Sequence, residues 1–214
     1  MKKICIILAA LLLCLTMTAY AETAEDASAV LGVVSGDTYE NAVLGIGCTL
    51  EGWHYYTEEE IAETNKMAKE ALGEEITKIL ETTQALQVMV SSTPDKLQNV
   101  NIQLQTIPSL SAVVETYGLG AIVEASLDTY KTQLEAAGLT DVVLSLGEFT
   151  VSGQSLPCLT GSYKMMNLQM YFSQLWLSSG DYMGSVTATG LEPETAEQIL
   201  GNFYLLEQAE QPAA

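Results

Sequence analysis

The sequence has 214 residues, with 27 Asp or Glu against eight lysines and no arginine, which gives a formal net charge of −19. Nucleic-acid binding needs clustered basic side chains that neutralise phosphates, and these scattered lysines form no such cluster. The same charge disfavours docking on an anionic membrane surface and is typical of a soluble protein outside the cell. The acids do not form a calcium-binding loop motif, so no metal site is expected.

Residues 1–21 are predicted to be a cleavable signal peptide. Two lysines precede an uncharged apolar run, and Ala19-x-Ala21 places small residues at positions −3 and −1 of a cut before Glu22. The apolar run is shorter than the roughly 20 residues of a membrane span, and no later segment of that length lacks charge. We therefore expect no stable membrane insertion once the leader is removed.

A lipid anchor at Cys14 is the alternative fate of this N-terminus. A lipid-attachment cysteine normally follows a small residue, whereas Leu13 precedes Cys14. We therefore expect a secreted or otherwise extracytoplasmic bacterial protein, with lipid anchoring at Cys14 as the alternative.

The chain after the leader divides into three predicted parts. Residues 22–38 are rich in alanine and glutamate without a clear period, which predicts a flexible N-terminal segment. Residues 39–207 carry periodic apolar patterns and are long enough for one domain. Residues 208–214 are predicted to be a disordered tail.

Strands and helices are predicted in a mixed order along the domain. Alternating apolar residues predict strands, and Thr57, followed by Glu60 three residues later, is a capping box that begins a helix reaching about residue 80. A second helical segment, 111–137, is interrupted around Gly118 and Gly120 and stops at Gly138. Strands are predicted near residues 44–50, 86–90, 100–104, 142–151, 155–163, 169–178 and 182–189.

The last helix is predicted to begin at Pro193. Its inward-facing residues would be Ala196, Ile199, Leu200, Phe203 and Leu206. Glycines between the four strand-like runs, at 147, 153, 161 and 180, are interpreted as hairpin signals. Short connections require antiparallel pairing, so the fold class is α/β (α+β), with an antiparallel β-sheet flanked by helices.

Two cysteines remain after the predicted cleavage, Cys48 and Cys158. Export permits a disulfide between them. Each also lies in an apolar, strand-like run, where a free cysteine behaves as a small hydrophobic residue. Both interpretations stay open, and the spacing matches no metal or redox motif.

Catalysis has few candidate residues. His54 is the only histidine, so histidine-dependent nucleophilic chemistry would have to use it, and no G-x-S-x-G motif accompanies it. His54 and Glu58 do not share a helical face because Thr57 caps the helix, so they are a weak metal pair. The methionines at 165, 166 and 170 are expected to fill the core rather than to bind a cofactor.

The densest aromatic cluster is the candidate ligand-binding site: Trp53, His54, Tyr55 and Tyr56. Aromatic loops can stack on sugars or anchor a partner protein. For Trp53 we favour the alternative, in which its ring packs into the core where the strand turns into the helix.

Several residues together resemble the PsbP-like superfamily, and more closely a group of small exported bacterial proteins with that fold and no assigned activity. The resemblance covers nearly all of residues 39–207 and rests on Tyr39-x-Asn41, Leu44-Gly45-Ile46, Gly52-Trp53, Leu134-x-x-x-Gly138-x-x-x-Val142, Gly153-x-x-x-Pro157, Gly180-x-Tyr182 and Ile199-Leu200-x-x-Phe203-Tyr204. It implies a PsbP-like sandwich. It implies no activity, because these residues fix turns and packing.

Two partners known in that superfamily do not fit this chain. Photosystem docking uses a lysine-rich surface, which this acidic chain lacks, and export puts the Ran protein out of reach. We expect a non-catalytic binding or accessory domain without a cofactor, whose partner is an unknown protein or small molecule. The alternative is a secreted hydrolase that uses a carboxylate-based site.

Overall fold

A computed structural model describes residues 30–57, 59–61, 86–165 and 168–206. The predicted signal peptide with its cleavage site at Ala21-Glu22, the alternative anchor Cys14, most of the helix predicted after Thr57 and the predicted tail lie outside these residues.

Eleven strands and three helices have both ends among the described residues, and residues 59–61 are also helical. The strands are β1 (Val33–Ser35), β2 (Thr38–Asn41), β3 (Ile46–Thr49), β4 (His54–Tyr55), β5 (Leu86–Ser92), β6 (Asn99–Thr106), β7 (Thr140–Val151), β8 (Gln154–Met165), β9 (Leu168–Ser179), β10 (Tyr182–Gly190) and β11 (Phe203–Leu205). The helices are α1 (Leu110–Tyr117), α2 (Leu119–Ala136) and α3 (Pro193–Leu200).

The strands form two antiparallel sheets. The small sheet has the order β1-β2-β3-β11, and the large sheet has the order β4-β5-β6-β10-β9-β8-β7. Strands β7 to β10 form the predicted meander, and β10 returns to pair with β6, with Val186 opposite Ile102. The prediction of a mixed α+β fold with antiparallel sheet and flanking helices is confirmed.

Two apolar cores lie on opposite faces of the large sheet. The first joins the small sheet and α3 to the large sheet through residues such as Ile46, Ile102, Val186 and Leu200, all completely buried. The second joins α1 and α2 to the β7–β9 end of the large sheet. Alternating side chains supply both cores because neighbouring residues of a strand point to opposite faces.

Helix α2 follows the predicted periodicity. Val123, Tyr130 and Leu134 are buried, and Leu127 packs against the same core. Gly118, with φ of 78°, separates α1 from α2, as the sequence predicted.

None of the described helices is long and apolar enough to cross a membrane alone, and α1 and α2 reach that length only together, across a bend of 99°.

The structure differs from prediction at both ends of the described chain. The last helix ends at Leu200, and Phe203 lies in β11 opposite Cys48 of β3 rather than on the inner face of a helix. At the other end, residues 33–38, predicted as part of a flexible segment, lie in the β1–β2 hairpin. The Tyr39 hydroxyl donates to the Leu31 carbonyl at 2.9 Å, which ties the residues before β1 to β2.

Two glycines that were interpreted as hairpin signals lie inside strands. Gly147 is in β7 and Gly161 is in β8, whereas Gly153 and Gly180, with φ of 83° and 58°, form the β7–β8 and β9–β10 turns. Gly161 is needed for packing, because the ring of Phe172 occupies the place of its missing side chain.

Candidate functional site

The four aromatic-cluster residues do not form one surface. Trp53 and Tyr55 pack partly buried against the core between the sheets, so for Trp53 the structure favours packing. The Tyr55 hydroxyl donates to the Asp37 carbonyl at 3.0 Å and lies 3.7 Å from the Cys48 sulfur. These contacts give Tyr55 a structural role.

His54 and Tyr56 lie together on the other side of strand β4. The His54 Nε2 is 3.0 Å from each carboxylate oxygen of Glu60, and the His54 ring lies 5.1 Å from the Tyr56 ring. Lys96 places its ammonium 5.6 Å from the Tyr56 ring centre. A ligand-binding role for His54 and Tyr56 stays a prediction, with Glu60 and Lys96 as neighbours that the sequence did not indicate.

Glu60 also completes the predicted capping box. Its carboxylate accepts from the Thr57 N–H at 2.9 Å, and its own N–H donates to the Thr57 hydroxyl at 3.2 Å. The hydrogen bond from the Thr57 N–H is the main cause of a lowered Glu60 pKa, and the hydrogen bond to His54 lowers it further.

Within the described ranges, no three His, Cys, Asp or Glu side chains lie close enough to hold a metal ion.

Cys48 and Cys158 are both buried and both free in the structure, and both belong to the core between the sheets. Burial raises the pKa of the Cys48 thiol to about 11 and that of the Cys158 thiol to about 12. At neutral pH both are therefore neutral thiols, and a thiolate is the form that attacks or binds metals. The structure agrees with the interpretation of these cysteines as small hydrophobic residues.

We expect both thiols to be protected in the native protein. Native mature protein should react very little with a thiol reagent near pH 8. Denatured, unreduced protein should show two reactive thiols per chain, those of Cys48 and Cys158. The folded pKa values of both thiols lie above the unfolded value of 9.0. Their contribution to the free energy of unfolding is therefore fully present below pH 9 and is lost as the pH rises towards 11–12. Zero thiols in the denatured sample would instead demonstrate a disulfide.

A large open cleft lies at one end of the two sheets. Its volume is about 1220 Å³, above the roughly 300–1,000 Å³ typical of small-molecule sites. Turns and strand ends from both sheets surround it, together with the start of α2. The lining residues are Ala42, Leu44, Gly45, Leu119, Gly120, Glu148, Gln154, Ser155, Leu156, Pro157, Leu177, Ser178, Ser179, Gly180, Leu205 and Leu206.

The cleft combines an apolar floor with a polar rim. Leu44, Leu156 and Leu177 form buried parts of its floor. Glu148 is the one carboxylate among the described lining residues, and it accepts a hydrogen bond of 2.7 Å from the Ser155 hydroxyl. The described residues that line the cleft include no histidine, cysteine or lysine, so they supply no acid–base pair.

Asn41 fixes the turn that forms one wall of the cleft. Its completely buried side-chain amide donates to the Val30 carbonyl at 2.9 Å and to the Tyr39 hydroxyl at 3.0 Å, and its oxygen accepts from the Leu44 N–H at 2.9 Å. The turn from Asn41 to Ile46 is therefore tied to the first core. This network gives a physical reason for the Tyr39-x-Asn41 and Leu44-Gly45 pattern in the sequence.

The large sheet also carries a buried polar layer, formed by Asn99, Asn101 and Gln103 of β6 with Thr189 of β10. Their side chains are at most 5% exposed. Both side-chain polar atoms of Asn101, the Asn99 oxygen, the Gln103 nitrogen and the Thr189 hydroxyl have no hydrogen-bond partner in the described structure. The layer holds no ionisable group, so it contributes no acid–base chemistry.

The sequence contained a partial signal for the cleft. In a meander, the β7–β8 and β9–β10 turns lie at the same end of the sheet, and both turns contain a glycine with positive φ. Local patterns do not show that the β2–β3 turn and the end of β11 approach the same place, because those contacts join residues far apart in the chain.

No sequence profile of a known protein family matches this chain, and no characterised protein matches it significantly. The resemblance to the PsbP-like superfamily therefore has no support from a family match.

Three solved structures are similar in shape at low sequence identity. A Bacteroides thetaiotaomicron protein is 11% identical over 84% of this chain, with a TM-score of 0.43, and this chain spans about half (52%) of its length. LpqN of Mycobacterium tuberculosis, described as involved in cell envelope biogenesis, is 13% identical, with 76% of this chain and 83% of LpqN covered and a TM-score of 0.40. PA94 of Pseudomonas aeruginosa, described as a protein of unknown function, is 13% identical, with 43% and 58% covered and a TM-score of 0.30.

Proposed function

We propose that this protein is an exported, acidic, non-catalytic binding domain whose ligand occupies the cleft between the ends of the two sheets. The observation that carries the proposal is the combination, among the described lining residues, of a leucine floor, a serine and glutamine rim and a single carboxylate. An apolar cavity with a few placed polar groups is the usual form of a small-molecule or peptide site.

Export is the part of the proposal that rests on sequence alone. The leader at 1–21 has the charge, apolar and small-residue order of a secretory signal, and release of the mature chain is preferred to an anchor at Cys14. We further propose that the fold is of the PsbP-like kind. The structural roles of Tyr39, Asn41 and Gly180 support it, since these are among the residues that carry the resemblance.

The chemistry of the cleft favours binding over hydrolysis. Carboxylate-based glycoside hydrolysis uses two carboxyl groups roughly 5–10 Å apart, and Glu148 is the one carboxylate among the described residues of the lining. The side chains with the largest pKa increases in the described structure are buried or partly buried tyrosines and cysteines, which burial keeps neutral. None of them lines the cleft.

The lining also defines the type of ligand. Leucines at the floor fit an apolar body, whereas hydroxyl and amide groups at the rim fit hydrogen-bonding groups at its periphery. Glu148 disfavours an anionic group at its own position, and the net charge of −19 disfavours anionic ligands in general. The preferred ligand is therefore neutral or cationic and partly apolar.

The first test is to fill the cleft by mutation. Ala42 is an exposed lining residue on the β2–β3 turn, so Ala42→Trp should obstruct the cleft without disturbing the core. We expect the neutral fluorescent probe N-phenyl-1-naphthylamine to bind the unmodified protein, and its Kd to rise at least about tenfold in Ala42→Trp, equivalent to about 1.4 kcal/mol. The measurement is a fluorescence titration at an excitation wavelength that tryptophan does not absorb.

Ala125→Trp is the matched control, because Ala125 is exposed on α2 and lies outside the cleft. This variant should keep the Kd of the unmodified protein. Equal probe affinity in Ala42→Trp and Ala125→Trp, or no binding to the unmodified protein, would contradict a binding role for the cleft.

A further inference from the structure

Strand β7 is a long edge strand. It runs for 12 residues, and within the described structure it pairs only with β8. In an antiparallel pair, alternate residues direct their N–H and C=O groups away from the partner strand. The outer edge of β7 therefore presents backbone donors and acceptors to which another strand can bond.

The exposed part of this edge is bounded at both ends. At one end the pairing with β8 shifts between Thr140 and Val143, and the Lys164 ammonium binds the Asp141 carboxylate at 2.7 Å. At the other end the Leu205 N–H donates to the Ser152 hydroxyl at 3.0 Å, which brings β11 against the end of β7. Residues 143–150 remain between, about 27 Å of strand with about four outward-facing residues.

The features that usually protect an edge strand are weak along this stretch. The β7 sequence contains no lysine, arginine or proline, and the side chain of Val143 is 61% exposed. By contrast, the opposite edge of the large sheet is the two-residue β4, and the edge strand β1 has three residues. Very short strands and lysine side chains are common ways to prevent pairing at an edge, and β7 has neither.

We propose that the outer edge of β7 between Val143 and Thr150 binds an extended segment of a partner protein as an additional strand, and that this segment carries lysine or arginine. Backbone hydrogen bonds would supply the affinity in this type of recognition, and side chains would supply the choice of partner.

Charge complementarity selects a basic partner segment. β7 itself carries Asp141 and Glu148. Helix α2, which packs against β7, has three acidic residues and one lysine, and that lysine, Lys131, already lies 4.0 Å from Glu135. With a chain charge of −19, a second copy of this protein would be repelled, whereas a cationic segment would be attracted.

The test uses the full mature chain and a defined peptide. The probe is an acetylated and amidated heptapeptide of alternating lysine and valine, added to isotope-labelled protein and followed by amide NMR. We expect shifts and slower hydrogen exchange at alternate residues between Val143 and Thr150. A glutamate–valine peptide of the same length should bind at least tenfold more weakly.

Two controls separate strand addition from general charge attraction. A lysine–valine peptide that is N-methylated at the backbone nitrogen of every residue keeps its charge but loses those backbone N–H donors, and it should not bind to β7. Ser145→Lys adds a cation at an exposed position of β7 and should weaken binding at least tenfold, whereas Thr129→Lys, with the same charge change on exposed α2, should change it less than twofold.

Three results would overturn the proposal: peptide shifts that map away from β7, equal binding of the methylated peptide, or a dimer of this chain joined through β7. The β7 edge and the cleft share Glu148, but the two proposals can be tested separately. Ser145→Lys should retain the N-phenyl-1-naphthylamine affinity, and Ala42→Trp should retain the peptide affinity, so each proposal can fail without the other.

Discussion

Replacing Asn41 with leucine should lower the free energy of unfolding by about 3 kcal/mol. The substitution removes three hydrogen bonds at a completely buried position, each contributing about 1 kcal/mol. It also leaves the Leu44 N–H and the Val30 carbonyl without the bonds that the amide provides. Urea unfolding followed by tryptophan fluorescence and circular dichroism measures the change.

Asn202→Leu is the matched control for this prediction. Asn202 is exposed, and its side chain donates to the Gln198 and Ile199 carbonyls beside the end of α3. Its replacement should change the free energy of unfolding by less than about 1 kcal/mol. If Asn41→Leu is no more destabilising than Asn202→Leu, the network around Asn41 does not hold the β2–β3 turn as described.

The same variant should also impair the cleft. The β2–β3 turn contributes Ala42, Leu44 and Gly45 to the lining, and Asn41 holds this turn through the Leu44 N–H. Under conditions where Asn41→Leu is still folded, we expect N-phenyl-1-naphthylamine to bind several-fold more weakly than to the unmodified protein.

Replacing Gly161 with alanine should destabilise the large sheet by about 3 kcal/mol. A Cβ atom at this position would lie 2.5 Å from a ring carbon of Phe172 and 2.6 Å from the Val143 carbonyl oxygen. Both distances are shorter than real Cβ contacts, so β8 and β7 would have to move apart locally. Overpacking of this kind typically costs about 1–3 kcal/mol, and contact with backbone places it at the upper end.

Gly147→Ala is a close control, since Gly147 lies in the adjacent strand β7 and a Cβ atom added there would meet nothing within 4 Å. We expect this variant to match or slightly exceed the stability of the unmodified protein, because glycine inside a strand is itself unfavourable. Equal stability of Gly161→Ala and the unmodified protein in urea unfolding would show that the sheet adjusts at little cost.

The elements that local patterns determine were predictable from sequence. The break at Gly118, the four-strand meander and the start of α3 at Pro193 each depend on residues that lie close together in the chain. Strand β11 was missed because Ile199, Leu200 and Phe203 have helical spacing, and the pairing of Phe203 with Cys48 joins residues more than 150 positions apart. Sequence periodicity contains no information about such a pairing.

The candidate site was less predictable than the fold. The aromatic cluster was visible in the sequence, but the short strand β4 sends His54 and Tyr55 to opposite faces, and only the three-dimensional structure brings Glu60 and Lys96 beside His54 and Tyr56. The cleft is assembled from turns of both sheets. Its polar residues are serines, a glutamine and one glutamate, which have no distinctive sequence spacing.

The buried polar layer has a consequence for folding accuracy. Along β6, Asn99, Asn101 and Gln103 alternate with Val100 and Ile102, and both faces of the strand are buried. A slip of one residue against β5 or β10 would move the amides into the aliphatic core and expel the aliphatic side chains from it. A strand with aliphatic residues on both faces would tolerate that error far better. The layer therefore specifies the register of β6, because sheets with a shifted register would be too unstable to persist.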